Sequence, residues 1–222
     1  MIFLKDVTKT YEINKTNTIT AIQNINLHIK EGELVVLKGV SGSGKSTILS
    51  LIAGLSKPTT GEVIVDNQRV SKLPDEFASC YRQNTIGFIF QRYNLIPTLS
   101  VADNIIVPII PLNPDKKEVK LKIDRVLGEF DILDKKNSTV RNLSGGEQQR
   151  VAISRALINN PKIIIADEPT ANLDEELSKN FIEILKKLKG KNKTIIVATH
   201  DPLFFELDIV DRIIEIKDGK II

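Results

Sequence analysis

The octapeptide Gly39-Val40-Ser41-Gly42-Ser43-Gly44-Lys45-Ser46 constrains this chain more than any other feature. It fits G-x-x-x-x-G-K-[ST] and lies between the apolar run Leu34 to Leu37 and the helix-like run Ser46 to Leu55. Alone, such a segment could be a Gly-rich turn. A strand before it and a helix after it change that reading. Glycines then let backbone N–H groups converge on phosphate oxygens, and the helix aims its positive end at the same place. Lys45 adds a point charge, and the Ser46 hydroxyl is available to Mg²⁺. The segment therefore predicts a nucleotide-phosphate site.

Two further runs, Ile163 to Ala166 and Thr194 to Ala198, are rich in Ile and Val and bounded by polar residues. All three runs read as strands buried on both faces. After the second comes Asp174 to Leu188, with Leu177, Phe181, Ile184, Leu185 and Leu188 at helical spacing. Its acidic start, its late Lys186, Lys187 and Lys189, and Gly190 beyond them match a helix dipole and a helix stop. Strand followed by amphipathic helix is the pattern of a parallel α/β sheet. Ile2 to Tyr11 and Ile19 to Ile29 differ, because Ile25, Leu27 and Ile29 alternate with polar residues. They predict an antiparallel β layer beside the parallel core. Between about Ser100 and Asn160 there is no clear strand signal, and Pro114-Asp115 opens a helix with Val119, Ile123, Val126, Leu127 and Phe130 on one face. This region reads as a helical insert. Asp218-Gly219 reads as a hairpin turn closing a short edge strand.

Composition removes several function classes. With 222 residues, 41% hydrophobic and 27% charged, the chain can bury a full core. Thirty-one Lys and Arg against 28 Asp and Glu give a net charge of only +3, so nothing points to nucleic acid as a partner. The single cysteine, Cys80, can make no internal disulfide and is neither a zinc site nor a redox pair, and is expected as a small buried or half-buried side chain in a reducing compartment. The N-terminal sequence lacks the pattern of a secretory signal, so a cytoplasmic location is expected. The run Ile105 to Leu112, broken by Pro108 and Pro111, is far short of the roughly 20 residues that cross a bilayer. Membrane contact would have to come through a partner.

Two other segments carry chemistry. Asp167-Glu168 ends the run from Ile163, and ligands of open α/β sheets bind beyond the carboxyl ends of strands. An isolated Asp-Glu pair commonly just starts a solvated loop. With a phosphate loop in the same sheet, Asp167 becomes a candidate for holding Mg²⁺, and Glu168 for polarising an attacking water as general base. Leu143-Ser144-Gly145-Gly146-Glu147-Gln148-Gln149-Arg150 begins a helix that stops at Asn160-Pro161. Ser144 and Glu147 make a capping box, which helix stability alone would explain. It would not explain two glycines in the first turn, each costing up to about 1 kcal/mol relative to alanine. They permit close approach to an end that favours anions.

Residues 143–150 resemble the signature sequence of ABC ATPases, and the rest of the family's motifs follow in order across nearly the whole chain. Tyr11 matches the A-loop aromatic, Gly39 to Thr47 Walker A, Gln91 the Q-loop, Asp167-Glu168 Walker B, Asn172-Leu173-Asp174 the D-loop and His200 the switch histidine. The resemblance implies the ABC ATPase fold as a single domain over residues 1–222: a P-loop parallel core, an N-terminal antiparallel β subdomain and a helical subdomain. The core and β parts take about 1–95 and 160–222, and the helical part with the signature about 96–159.

It further implies a homodimer formed on ATP binding, packed head to tail, with each ATP between the P-loop of one chain and the signature of the other. Gly39, Ser41, Gly42, Ser43, Gly44, Lys45, Ser46 and Thr47 would hold the phosphates, and Tyr11 would stack on adenine. Ser144, Gly145, Gly146 and Asp174 would meet the nucleotide from the facing chain. Ser46, Gln91 and Asp167 would serve Mg²⁺, and Lys45, Gln91, Glu168 and His200 catalysis.

The stretch Ile86 to Ser100 and the sequence Asp167-Glu-Pro-Thr-Ala-Asn-Leu-Asp174 are similar to the macrolide-exporter, lipoprotein-release and peptide-resistance branch. That branch implies a separate transmembrane permease, a peripheral place on the inner face of the cell membrane, and a peptide, lipoprotein or drug-like substrate. It also contains the cell-division ATPase, so a non-transport regulatory role stands as the alternative. Val40, Tyr93 and Ala171 depart from the commoner residues, and none removes a phosphate, metal or base group.

Overall fold

The computed structural model describes residues 1–14, 17–112, 115–171 and 173–222. Pro114 of the expected helix start and Asn172 of the D-loop lie outside these residues. The alternating N-terminal segments form strands β1 (Ile2–Asn14) and β2 (Asn17–Ile29), paired antiparallel with Ile2 opposite Ile29. Their inward residues Ile2, Leu4, Val7, Ile22, Ile25 and Ile29 are buried. The run to Leu37 becomes β3 (Leu34–Lys38), followed by α1 (Lys45–Ile52), β4 (Thr60–Val65) and β5 (Gln68–Arg69). β4 joins β1 on its other side, so the antiparallel layer has four strands in the order β2-β1-β4-β5.

Beyond it come α2 (Asp75–Thr85), β6 (Ile86–Ile89), α3 (Val101–Ile106), α4 (Lys116–Glu129) and α5 (Gly145–Leu157). The chain then runs through β7 (Ile163–Asp167), α6 (Glu175–Gly190), β8 (Thr194–Thr199), β9 (Arg212–Lys217) and β10 (Lys220–Ile221). The second sheet has the order β10-β9-β3-β8-β7-β6, parallel except for the hairpin strand β10.

The central strands are apolar on both faces because each face meets a different core. Leu34 and Val36, Ile164 and Ala166, and Ile195 and Val197 pack with α3 to α6. The alternate residues Val35 and Leu37, Ile163 and Ile165, and Ile196 and Ala198 pack with α1 and the antiparallel layer. Period-two alternation thus feeds two cores at once, and each fully buried side chain of this kind contributes about 1.5–3 kcal/mol. In α4, Val119, Ile123, Val126 and Leu127 are buried as the spacing predicts, and Asp115 caps the helix by accepting the N–H groups of Lys117 and Glu118.

Several local expectations need correction. α1 ends at Ile52 and not at Leu55, because Gly54 turns left-handed (φ 63°). Gly190 lies inside α6, and the left-handed residue beyond that helix is Asn192 (φ 57°), whose polar side chain tolerates this conformation. Cys80 is exposed, because α2 buries only Ala78 and Tyr81 and Cys80 falls off that face. Among the described residues, no helix is long and apolar enough to cross a membrane.

Candidate functional site

The loop between β3 and α1 is shaped by its neighbours as much as by any ligand. Gly44 caps α1 with φ 108°, and a Cβ there would sit 2.6 Å from Ile22 Cγ2 and 2.7 Å from the Ala21 carbonyl oxygen. At Gly39 a Cβ would sit 2.3 Å from the Ile216 carbonyl oxygen. Glycine at both positions is therefore required by β2 and β9 pressing on the loop from behind. The result is a cavity of about 350 Å³ lined by residues 41–47 together with Ala21, Gln91, Glu168 and His200.

Lys45 is almost fully buried, and its Nζ donates to the carbonyls of Gly39 (2.6 Å) and Val40 (3.1 Å). The same Nζ lies 3.1 Å from Glu168 Oε1. Glu168 stands at the end of β7 in a left-handed conformation (φ 42°), anchored by its N–H to the Ala198 carbonyl. Its other oxygen, Oε2, accepts from the Thr199 hydroxyl and lies 3.1 Å from His200 Nδ1. Burial works to raise the Glu168 carboxyl, but the contacts with His200 and Lys45 outweigh it and hold the group below the ordinary carboxylate range. Asp167 shows the opposite balance. Burial raises its carboxyl above the ordinary value, although the Ser46 hydroxyl donates to Asp167 Oδ1 at 3.0 Å.

A cation-bearing loop, a hydroxyl–carboxylate pair and a second carboxylate beside an imidazole therefore converge on one cavity. Such a set can bind phosphate, and can orient and deprotonate a water beside it. Two contributors were not legible in the sequence. Thr199 donates to Glu168 and accepts from the Asp201 N–H, and Asp201 in turn accepts from the Thr170 hydroxyl. Ala21 enters from the antiparallel layer.

Seven of the expected residues do not line this cavity, although two of them touch its lining: the Gly39 carbonyl accepts from Lys45 and the Asp167 carboxylate from Ser46. Ser144 caps α5 through the capping box, accepting the Glu147 N–H at 3.3 Å while its own N–H donates to Glu147 Oε2 at 2.8 Å. Gly145 faces open space, whereas a Cβ on Gly146 would meet the Leu177 side chain at 2.6 Å. Asp174 caps α6 by accepting the Leu177 N–H. Tyr11 is exposed on β1, opposite Ile19 and under the Lys9 ammonium at 4.9 Å from its ring.

The parallel sheet and this loop, with acids at the end of the neighbouring strand, define a P-loop nucleotide-binding protein. Comparison with known proteins sharpens the class. The ABC transporter family pattern matches residues 22–171. The uncharacterized ABC transporter ATP-binding protein MJ0796 of Methanocaldococcus jannaschii is 44% identical over 231 residues, covering 100% of this chain and 95% of the relative. The dimeric structure of a post-hydrolysis state of the ATP-binding cassette MJ0796 bound to ADP and Pi superposes with a TM-score of 0.90, at 43% identity, over 100% of this chain and 96% of that one. The macrolide export ATP-binding/permease protein MacB of Psychrobacter cryohalolentis is 44% identical over 206 residues, 92% of this chain but only 30% of that protein. The chain belongs to the ABC transporter family, as an ATP-hydrolysing, ATP-binding subunit with the ABC ATPase fold.

Proposed function

We propose that two copies of this chain close head to tail around two ATP molecules and drive a separate permease at the inner face of the membrane. The reading rests on one observation above all. The cavity gathers phosphate-binding, metal-type and base-type groups, while the signature end of α5 stands apart from it with Gly145 facing open space. A second copy supplying Ser144, Gly145 and Gly146 to the γ-phosphate, with Asp174 beside them, would complete the site.

Within it, residues 39–47 cradle the phosphates and Tyr11 stacks on adenine. Glu168 is the general base, with His200 and Gln91 placing the water and γ-phosphate. The Ser46 hydroxyl and Asp167 carboxylate, 3.0 Å apart with Gln91 on the same cavity, are the hard oxygen donors that Mg²⁺ takes. Bound there with ATP, the ion would neutralise phosphate charge. Differential affinity of ATP for the closed dimer is what lets hydrolysis run a cycle.

The permease's cytoplasmic helix would seat in a groove of about 510 Å³ between α2, β6 and α5, where Phe88, Phe90, Val107 and Pro108 are flanked by Arg82 and Arg155. The similarity to MacB supports export or extraction of a peptide, lipoprotein or drug-like substrate. Purification from native membranes in detergent, with mass spectrometry of what accompanies the chain, tests this. A multi-spanning permease with a large extracytoplasmic domain is expected. A membrane partner accompanied by cell-wall hydrolases or division proteins would move the reading to regulatory signalling.

A further inference from the structure

The strand β6 delivers Gln91 to the cavity, and the chain then makes an unusual turn. Tyr93 and Asn94 are consecutive left-handed residues (φ 59° and 47°), neither of them glycine. The Tyr93 N–H donates to the Phe90 carbonyl, and the Asn94 N–H to the Arg92 carbonyl. Asparagine tolerates this conformation, but a tyrosine keeps it only where the surroundings over-determine it. Beyond those backbone bonds, one side chain holds both carbonyls of the turn. Arg155, near the end of α5, donates Nη1 to the Asn94 carbonyl at 2.6 Å and Nη2 to the Tyr93 carbonyl at 2.5 Å. No carboxylate pairs with this half-buried guanidinium among the described residues, so its fork is spent on the two carbonyls that the left-handed turn exposes.

The rest of the segment is tied to the same body. Fully buried Asn104 on α3 accepts the Ile96 N–H and donates to the Ile96 and Ser100 carbonyls. The N–H groups of Val140 and Arg141, just before the signature, donate to the Leu99 and Pro97 carbonyls. Residues 93–100 are therefore fastened to the helices, whereas Gln91 sits at the cavity on the sheet side.

The geometry points to Arg155 as a positioning residue: by fixing Tyr93 and Asn94 it sets Gln91 in the cavity, and it links that residue to the same helix whose other end is the signature. Ser144, which caps α5 in the signature, and Arg155 are eleven residues apart, about 16 Å of rigid rod, so displacement of one end reaches the other. The inference rests on the proposed role of Gln91 in hydrolysis.

The test is a double-mutant cycle on full-chain ATPase activity, using Arg155→Ala, Arg155→Lys, Gln91→Ala and the combinations. Arg155→Ala is expected to lower kcat about tenfold, with KM for ATP within about twofold, since the phosphate loop is untouched. Arg155→Lys, which reaches one carbonyl at a time, should fall between this variant and the wild type while keeping the wild-type Tm. In the Gln91→Ala background, losing Arg155 should cost less than about a further twofold. An equal loss in both backgrounds would overturn the linkage. If Gln91→Ala alone left kcat unchanged, the role of Gln91 would fall first and the linkage with it, a pattern distinct from additivity. Should Arg155→Ala fail to fold, the Arg155→Lys cycle carries the same comparison.

Discussion

Lys45 and Glu168 hold one another at 3.1 Å in this structure, although the proposed cycle needs each for something else. In that cycle an arriving γ-phosphate would compete for the lysine, and its capture would free the carboxylate to face water. Glu168→Gln keeps the shape but cannot accept a proton. It is expected to bind ATP normally while kcat falls at least about 100-fold, as measured by phosphate release. Hydrolysis near the wild-type rate would remove Glu168 from the base role. Identity and order make Lys45, Ser46, Gln91, Asp167, Glu168 and His200 candidates in the sequence, and the fold brings them to one cavity or one hydrogen bond. Thr199 and Ala21 announce nothing, because their contributions exist only once β8 and β2 lie beside the loop. The reason for glycine at 39 and 44 was likewise only half visible, since the packing partners come from distant strands.

The elements repeat this division. Long periodic segments such as α4 and α6, and apolar runs such as β3, β7 and β8, show their nature in sequence because burial and period agree. β4 and α2 are short or weakly patterned and become defined only by their neighbours, and the narrow buried face of α2 leaves Cys80 exposed. At the start of α5, a Cβ on Gly146 would meet only the flexible end of the Leu177 side chain, which can turn aside while alanine relieves a helix penalty of up to about 1 kcal/mol, so Gly146→Ala is expected to keep or raise Tm in a thermal melt. A fall of several degrees would show that Leu177 cannot give way.

Asp211 joins three elements. Its carboxylate accepts the Leu34 N–H at 2.6 Å and pairs with Lys189, which also donates to the Gly32 carbonyl. Burial works to raise this carboxyl, but Lys189 and the Leu34 N–H outweigh it and hold the group below its ordinary 3.8. The sign follows directly: a depressed folded-state value means that its stabilisation is intact above pH 3.8 and is lost as pH falls through the lower value. Asp211→Asn should therefore flatten the acid limb of a Tm-against-pH curve below pH 3.8, and an unchanged limb would refute the assignment.

For the whole molecule, the separation of cavity and signature predicts chain-to-chain contact. Because Cys80 is exposed, it must first become serine. In that background with Glu168→Gln, the pair Ser41→Cys and Gly145→Cys should crosslink with ATP into a species of twice the monomer mass. A crosslink confined to one chain would contradict head-to-tail pairing. One feature of the phosphate loop bears on how the molecule is made. The Gly219 N–H donates to the Ser43 carbonyl at 3.0 Å, the Gly219 carbonyl accepts the Gln23 N–H, and Ile216 backs Gly39. The loop is thus braced by residues synthesised 176 positions after Ser43 (219 − 43). While those residues are still inside the ribosome, the emerging chain has a complete Walker sequence but an unsupported loop. Nucleotide capture is therefore expected only once the β9–β10 hairpin has emerged, and a truncation ahead of Gly219 should abolish ATP affinity in a nucleotide titration while leaving every motif in place.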